Sequence, residues 1–204
     1  MISNTRSGVR GRGLCVAAAG LFVALATVGC GLGVFDNFAP LRPTDNFHVI
    51  EEGKAYRSAQ LDASTLRLVV EALGIRTVVN LRGENEGEKW YDNEKAALDE
   101  LGVTLVDIRM SARELPARAE LLKLYDTFVG AEGPILIHCR GGADRTGAAA
   151  AIWRMVVMGE DKRTAARELC VCYGHFELAT PEMDELVEMF QPSREWIENE
   201  YPVP

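Results

Sequence analysis

The sequence has no excess of positive charge. Its 22 Lys and Arg residues are outnumbered by 30 Asp and Glu residues, which gives a formal net charge of −8 at pH 7. Because proteins that bind nucleic acids present a basic face to the phosphate backbone, nucleic acid is not expected as a partner. An acidic protein that takes an anionic substrate must instead concentrate positive charge at one local site.

The sequence also lacks internal repeats, low-complexity runs and acidic residues spaced like metal ligands. The first two absences argue against repetitive and low-complexity architectures, and the third gives no reason to expect a metal or other cofactor. The chain has 204 residues, 48% apolar and 25% charged, which is ordinary for a globular protein. This length suits one domain with an additional segment.

No acidic side chain is found near the N-terminus, and this absence sets that region apart. Arg6, Arg10 and Arg12 lead into an uncharged, mainly apolar stretch at residues 14–35. A basic region followed by an apolar one is typical of a bacterial export signal. The most apolar part, residues 14–28, is shorter than the ~20 residues of a membrane-spanning helix, although the full stretch is long enough to cross.

Two forms of membrane attachment remain open. The first is lipidation, because the chain resembles a lipoprotein processing site at Thr27-Val28-Gly29-Cys30, with Cys30 as the acylated residue. The second is an uncleaved anchor. We therefore expect a signal peptide or anchor at 1–29, a tether at 30–45 and a folded domain at 46–204. Since the arginines stay in the cytoplasm, the domain is expected to be exported and membrane-tethered, on the non-cytoplasmic side.

Residues 134–147 combine a short apolar run, a polar loop and an Ala-rich continuation. The run ends at His138-Cys139, and five residues separate Cys139 from Arg145. This pattern predicts a buried strand, a tight loop and the start of a buried helix. Backbone N–H groups of the loop and of the first helical turn then form an anion site, assisted by the helix dipole.

The side chains in this stretch fit a nucleophile and an anion clamp. Cys139 is expected at the floor of the anion site, where the pKa of a thiol can fall from ~8.5 to ~3.5–7.5. Arg145 is always charged, and its planar guanidinium can bind two phosphate oxygens at once. The pattern therefore indicates nucleophilic chemistry on a phosphate group.

This stretch resembles the signature of cysteine-dependent protein tyrosine and dual-specificity phosphatases: His138-Cys139-x-x-Gly142-x-x-Arg145-Thr146-Gly147. The resemblance implies that Cys139 attacks a phosphomonoester, and that water hydrolyses the resulting thiophosphate intermediate. It implies that Arg145 stabilises the transition state, that Thr146 donates its hydroxyl to Cys139, and that His138 sets the loop conformation and the thiol pKa. Similarity to a bacterial branch of the family extends to residues 56–60 and 82–84.

The phosphate is expected to bind along the loop and the helix start, at Arg140, Gly141, Gly142, Ala143, Asp144, Arg145 and Thr146. Arg140 directly follows the nucleophile, which suits a polyanionic substrate such as a phosphoinositide or an inositol polyphosphate. A solvated charge at the rim is the equal alternative for Arg140. The expected partner is therefore a phosphorylated protein or a small phosphorylated molecule, with the choice between them open.

The proton donor for the leaving oxygen is open between three carboxylic acids. Asp144 lies in the loop beside Arg145, as the resemblance implies for some phosphoinositide-directed and some bacterial phosphatases. Asp107 is 32 residues before Cys139, close to the spacing of the acid in many family members, but it falls inside a predicted strand. Glu114 follows that strand, and the remaining alternative is a site without a dedicated acid.

Strands alternating with helices predict an α/β domain with a mainly parallel central sheet flanked by helices. The family resemblance implies a dual-specificity-phosphatase-like arrangement, with the loop at the carboxyl end of a central strand. The expected order is a hairpin at 47–57, a helix at 64–73, a strand at 75–81, a helix capped by Asp92 or Asn93, a strand at 103–109, a helix from Pro116 to Val129, the strand at 135–138, and helices at 148–158, 161–173, 181–191 with Thr180 as cap, and 193–201.

Two other functions fit parts of the pattern. A rhodanese-like sulfurtransferase also holds a Cys in a loop, but nothing in that chemistry requires Arg145-Thr146-Gly147. An inactive phospho-ligand binder would keep the fold without the reaction.

Arg57 and Arg82 are open between substrate contact and ion pairing, whereas structural roles are favoured for His48 and His175. Cys170 and Cys172 are expected as small buried residues.

Overall fold

A computed structural model describes residue 1 and residues 41–203. The expected export signal, Cys30 and most of the tether lie outside the described residues. The fold belongs to the compact unit Gly31–Pro204. Among the described residues, none of the helices combines the length and the apolar character needed to cross a membrane.

A five-stranded sheet forms the centre of the domain, in the order β1-β2-β5-β3-β4. The strands are β1 His48–Glu51, β2 Ala55–Ser58, β3 Thr77–Asn80, β4 Thr104–Asp107 and β5 Ile135–His138. The β1–β2 pair is the predicted antiparallel hairpin, and the other three pairs are parallel. The prediction of a mainly parallel α/β sheet, with the catalytic loop after its central strand, is confirmed.

Among the described residues, seven α-helices surround the sheet. They are α1 Ala63–Leu73, α2 Lys89–Leu101, α3 Arg118–Gly130, α4 Asp144–Val156, α5 Lys162–Ala165, α6 Pro181–Met189 and α7 Arg194–Asn199. Side chains alternate along the buried strands. In β5, Leu136 packs in one core with α1 and α2, whereas Ile135 and Ile137 pack in the other with α3, α4, α6 and α7. Helices therefore cover both faces, as the crossovers of a parallel sheet require.

Local chemistry explains where several helices begin and end. Asp62 caps α1 by accepting from the N–H groups of Ser64 and Thr65, and Gly74 ends it with φ +63°. In α4, the four alanines at 148–151 are fully buried. Their small side chains let this helix pack closely against its neighbours and fix its first turn beneath the catalytic loop.

Several of the predicted helices differ from the structure: α4, expected at 148–158, runs from Asp144 to Val156. α2 starts at Lys89, before its expected cap, and α3 starts at Arg118, after Pro116. The predicted helix at 161–173 is only the four-residue α5 followed by two 3-10 turns. Cys170 between these turns is extended. Groups after α5 bond to the catalytic loop and to β2 instead of continuing a helix, as described below.

Candidate active site

Cys139, the expected nucleophile, directly follows the central strand. Ser58 of β2 and Asn80 of β3 both pair with His138 at the end of β5, so Cys139 leaves the sheet at the aligned carboxyl ends of three parallel strands. Its side chain is buried, with 3% exposed. The loop then runs to Ala143, and α4 begins at Asp144. The predicted strand, loop and buried helix are all present.

The environment of Cys139 favours its thiolate. Burial alone would raise the pKa of the thiol, but the charge of Arg145 and hydrogen bonds from Thr146 and Gly142 outweigh burial and lower it. The Thr146 hydroxyl is buried, and its interaction with the sulfur is one of the causes that lower the Cys139 pKa. This is the role that the family resemblance implies for Thr146.

Alkylation of Cys139 by iodoacetamide should reach its half-maximal rate at a lower pH than alkylation of a free cysteine. The reason is that the thiolate reacts, and its pKa in the loop is lowered. Thr146→Val removes one stabilising donor, so its midpoint should move to higher pH. Peptide mapping by mass spectrometry separates Cys139 from Cys170 and Cys172. An unchanged midpoint in Thr146→Val would contradict the hydrogen bond.

The loop requires glycine at one position. Gly142 has φ +68°, and an added Cβ would lie 2.6 Å from the backbone nitrogen of Ala59 and 2.8 Å from the carbonyl oxygen of Ser58. Both are backbone atoms at the end of β2, so they cannot move aside as a side chain could. The close approach presses the loop against the end of β2.

Gly142→Ala should lower the free energy of unfolding by about 1–3 kcal/mol and also reduce activity, because the strained backbone displaces the loop. Gly141→Ala is the matched control for stability, since an added Cβ at Gly141 meets no atom within 4 Å. Thermal unfolding of both variants measures the difference. Equal melting temperatures would contradict the close contact at Gly142.

A buried arginine supports the outer side of the loop. Arg57 of β2 is 0% exposed, and its Nη2 donates to the carbonyl of Gly142 at 2.7 Å. Its Nη1 lies 2.5 Å from the carboxylate of Glu168, which is also buried. These bonds hold the Gly142 carbonyl toward Arg57. Of the two roles left open for Arg57, the structure gives the ion pair.

His138 is held by a residue that the sequence does not indicate. Its Nε2 lies 2.9 Å from Oε1 of Glu94 in α2, and both side chains are buried. Burial alone would lower the pKa of His138, but the Glu94 carboxylate outweighs it and raises it. The pair anchors the residue that precedes Cys139 to a helix on the far side of the sheet.

Positive charge is concentrated around the nucleophile. Arg145 donates to the carbonyls of Leu81 and Met110 at 3.3 and 3.2 Å, which fixes its guanidinium at the ends of β3 and β4. Burial, and then the charges of Arg145 and Arg140, lower the pKa of Arg82. Arg82 also stacks on a tryptophan ring. Three guanidinium groups therefore share one region, the local positive site expected in an acidic protein.

The three acids considered as proton donors lie in different environments. Asp107 ends β4, and both its oxygens accept hydrogen bonds at 2.7 Å, from Asn80 and from the hydroxyl of Tyr91. Glu114 is exposed on the segment between β4 and α3. Asp144 is the first residue of α4, and its side chain is 32% exposed. The loop itself thus brings Asp144 close to Arg145, whereas Asp107 is engaged in the sheet.

Residues 168–180, here called the supporting segment, contact Arg57 of β2 and Asp144 at the start of α4. Besides Glu168, His175 bonds to Asp144 at 2.8 Å, and the Thr180 hydroxyl donates to the same oxygen at 2.9 Å. Thr180 occupies the predicted cap position of α6, but its side chain makes no cap bond. The sequence motif gives no signal for this segment. A polar Thr directly before Pro181 was the single available hint, and it indicated a cap instead.

Within residues 41–203, no three His, Cys, Asp or Glu side chains come together in a way that would hold a metal ion. The three described cysteines are not joined by disulfides. Cys170 is half-buried and Cys172 is exposed, so the expectation that both are buried is wrong. The exposure follows from the 3-10 turn that replaces the predicted helix.

A cysteine at the end of the central parallel strand, a loop that stabilises its thiolate and an arginine in the following helix define the cysteine-dependent phosphatases of the dual-specificity class. Comparison with known proteins agrees. A family model described as DSP-PTPase phosphatase fused to NAD+ kinase matches residues 33–185. The chain belongs to this family.

Relatives and solved structures add detail. The chain is 34% identical over 116 residues to the dual specificity protein phosphatase TpbA of Pseudomonas aeruginosa, covering 56% of this chain and 49% of that protein. It thus spans about half the length of the curated relatives it matches. The crystal structure of P. aeruginosa TpbA is 27% identical, covers 78% of this chain and 94% of its own, and has a TM-score of 0.61. The catalytic core of Siw14 from S. cerevisiae, 23% identical, covers 78% of this chain and 95% of its own at a TM-score of 0.61, and shares the fold.

Proposed function

We propose that this chain hydrolyses phosphomonoesters of the tyrosine or dual-specificity type through Cys139. The buried thiol whose thiolate is stabilised by Arg145, Thr146 and Gly142 carries this proposal. A thiol that is merely a small apolar core residue would be protonated, because burial disfavours its charged form. A crystal structure of TpbA in complex with pTyr, 26% identical to this chain and covering 78% of it at a TM-score of 0.61, supports phosphorylated tyrosine as one substrate.

In the proposed reaction, the Cys139 thiolate attacks phosphorus and the bond from phosphorus to the leaving oxygen breaks. Arg145 and the loop N–H groups of residues 140–146 bind the three equatorial oxygens and stabilise the charge that develops on them. Water then attacks the thiophosphate, which releases phosphate and restores the thiolate.

We assign the proton donor to Asp144 in preference to Asp107 and Glu114. Two bonds reach Oδ1 of Asp144, and no donor among the described residues reaches Oδ2. Both oxygens of Asp107, by contrast, accept hydrogen bonds within the sheet. An acid that also serves as the base for water in the second step needs such an unoccupied oxygen.

The test is turnover of an aryl phosphate, its inhibition by vanadate, and capture of the phosphorylated enzyme by acid quench. Mass spectrometry should then place the phosphate on the peptide that contains Cys139. A rhodanese-like sulfurtransferase would instead transfer sulfur from thiosulfate to cyanide and form no phosphopeptide. An inactive phospho-ligand binder would bind vanadate or phosphate without turnover. Either of these results would overturn the proposal.

The cluster of Arg82, Arg140 and Arg145 favours a second candidate, a phosphoinositide or inositol-phosphate phosphatase on the same fold. The charges of Arg145 and Arg140 both act on Arg82, and a bound polyanion would relieve that repulsion. A panel of phosphotyrosine and phosphoserine peptides and inositol phosphates separates the two. If the second candidate is correct, Arg140→Gln should lower kcat/KM for inositol polyphosphates much more than for phosphotyrosine peptides.

We further propose that the domain works outside the cytoplasm, tethered to the membrane through residues 1–29 or a lipid on Cys30. The basic and apolar pattern of these residues supports this placement. Radiolabelled palmitate should label the full chain and not Cys30→Ala if Cys30 is lipidated. An uncleaved anchor would leave both proteins membrane-bound and unlabelled. Recovery of the domain in the cytoplasm would contradict both forms.

A further inference from the structure

Three titratable side chains form a line that starts in the catalytic loop. Nδ1 of His175 lies 2.8 Å from Oδ1 of Asp144, and Nε2 of the same ring lies 2.8 Å from Oδ2 of Asp184 in α6. The imidazole is 2% exposed, whereas the side chains of Asp144 and Asp184 are 32% and 33% exposed. A buried ring thus joins two carboxylates that both reach solvent.

The polar groups that face this ring come from two helices and the turn between them. They are Asp144 of α4, Asp184 of α6 and the hydroxyl of Thr180, which lies 3.5 Å from Nδ1. The backbone N–H of His175 donates to the carbonyl of Cys170, which holds the ring's own chain segment. An imidazole that faces a carboxylate at each nitrogen donates to both when it is protonated.

We propose that His175 is a positioning residue for Asp144, which it orients through Oδ1 and with which it exchanges a proton, while Asp184 stabilises the charged imidazole. This inference rests on the proposed function and on Asp144 as the proton donor. It assigns a reaction role to His175 and Asp184, which lie 31 and 40 positions after Asp144 and beyond the loop. In this carboxylate–imidazole–carboxylate arrangement, the His175 ring supplies Asp144 with a proton.

The proton balance closes within these three groups. The relay requires these three groups to carry one proton more than two carboxylates and a neutral imidazole, and it places that proton on the His175 ring. When the leaving group departs, the Nδ1 proton of His175 moves to Asp144, and Asp144 gives a proton to the leaving oxygen. When water attacks the thiophosphate, Asp144 takes a proton from water and the imidazolium is restored. No external acid or base is consumed.

The experiment compares kcat/KM for two substrates, phenyl phosphate and 2,4-dinitrophenyl phosphate. This parameter reports the steps up to departure of the leaving group, where only the poor leaving group of phenyl phosphate needs a proton. Asp144→Asn should lower kcat/KM for phenyl phosphate by roughly 10²–10³-fold, with little loss for the dinitrophenyl ester. His175→Asn and Asp184→Asn should show the same selectivity with a loss of roughly tenfold or more.

Two comparisons separate this role from a structural one. Glu185→Gln removes a negative charge from an exposed neighbour of Asp184 on α6, and it should behave as the unchanged chain. The double variant Asp144→Asn/His175→Asn should lose no more than Asp144→Asn, because His175 acts through Asp144. Asp184→Asn changes a partly exposed side chain, so it tests the role even if a substitution of the buried ring prevents folding.

Each result has one meaning. Equal losses for the two substrates in His175→Asn and Asp184→Asn, or additive losses in the double variant, would overturn the relay and leave the proposed function intact. A Glu185→Gln loss equal to that of Asp184→Asn would overturn it as well. Absence of Cys139-dependent turnover of the dinitrophenyl ester in the unchanged chain would overturn the proposed function, and the relay with it.

Discussion

Cys139→Ser is expected to lower kcat for any phosphomonoester by roughly four orders of magnitude or more, as removal of the nucleophile does in other enzymes that form covalent intermediates. The physical reason is specific to this loop. Arg145, Thr146 and Gly142 lower the pKa of the thiol, but the same groups leave a serine hydroxyl protonated at neutral pH because its starting acidity is far weaker. The loop would then hold the phosphate without a nucleophile to attack it.

Binding should survive this substitution. Ser differs from Cys by one atom and fits the same buried position, so the melting temperature should change little and phosphate should still protect the domain against heat. Isothermal titration with a phosphotyrosine peptide measures the retained affinity. Cys170→Ser and Cys172→Ser serve as matched controls that should keep full activity. Turnover in Cys139→Ser above about one-hundredth of the original would contradict a covalent mechanism.

The catalytic loop could be predicted from the sequence because its parts are contiguous. An apolar run, Cys139, two glycines, Arg145 and an Ala-rich helix follow one another, and each local preference supports the same strand, loop and helix. The sheet followed from the same logic, since short strands alternate with helices and the resulting crossovers must be parallel. These inferences needed no knowledge of which distant residues meet.

The supports of the loop could not be predicted, because they are charged residues that a sequence indicates as solvated. Glu94 lies on a helix of mostly polar residues, yet it is 3% exposed and faces His138. Glu168 is also 3% exposed and pairs with Arg57. Charged side chains of this kind are buried only when a partner compensates them, and here each partner lies on a separate element.

The helix predicted at 161–173, which overlaps the supporting segment, was wrong for a related reason. Residues 161–173 have the apolar spacing of a helix, but tertiary bonds compete with helical ones after α5. Nη1 of Arg57 takes the backbone carbonyl of Glu168 at 3.0 Å as well as its carboxylate, which removes an acceptor that a continued helix needs. Gly147 of α4 then packs against this point, where an added Cβ would lie 2.9 Å from the same carbonyl oxygen. Packing against β2 and α4 thus outweighs the intrinsic helix propensity of these residues.

Arg145→Lys should lower kcat/KM for aryl phosphates by roughly 10²–10³-fold while the net charge of the chain stays the same. A lysine ammonium keeps the point charge, but it cannot form two parallel bonds to the phosphate and hold carbonyl oxygens at the same time. Arg145 does the latter through Leu81 and Met110, so its guanidinium is fixed before substrate arrives. The loss should fall mainly on kcat, because the bidentate contact is strongest in the transition state.

Arg163→Lys is the matched control for this exchange, since Arg163 is exposed on α5. It should keep full activity and the same melting temperature. The thiol offers a second measurement, because Arg145 is the foremost group that lowers the Cys139 pKa against burial. Arg145→Gln, which removes the charge, should therefore move the midpoint of Cys139 alkylation to higher pH, whereas Arg145→Lys should move it less. If Arg145→Lys retained full kcat, the bidentate contact would have no part in the transition state, and positive charge alone would explain the role of Arg145.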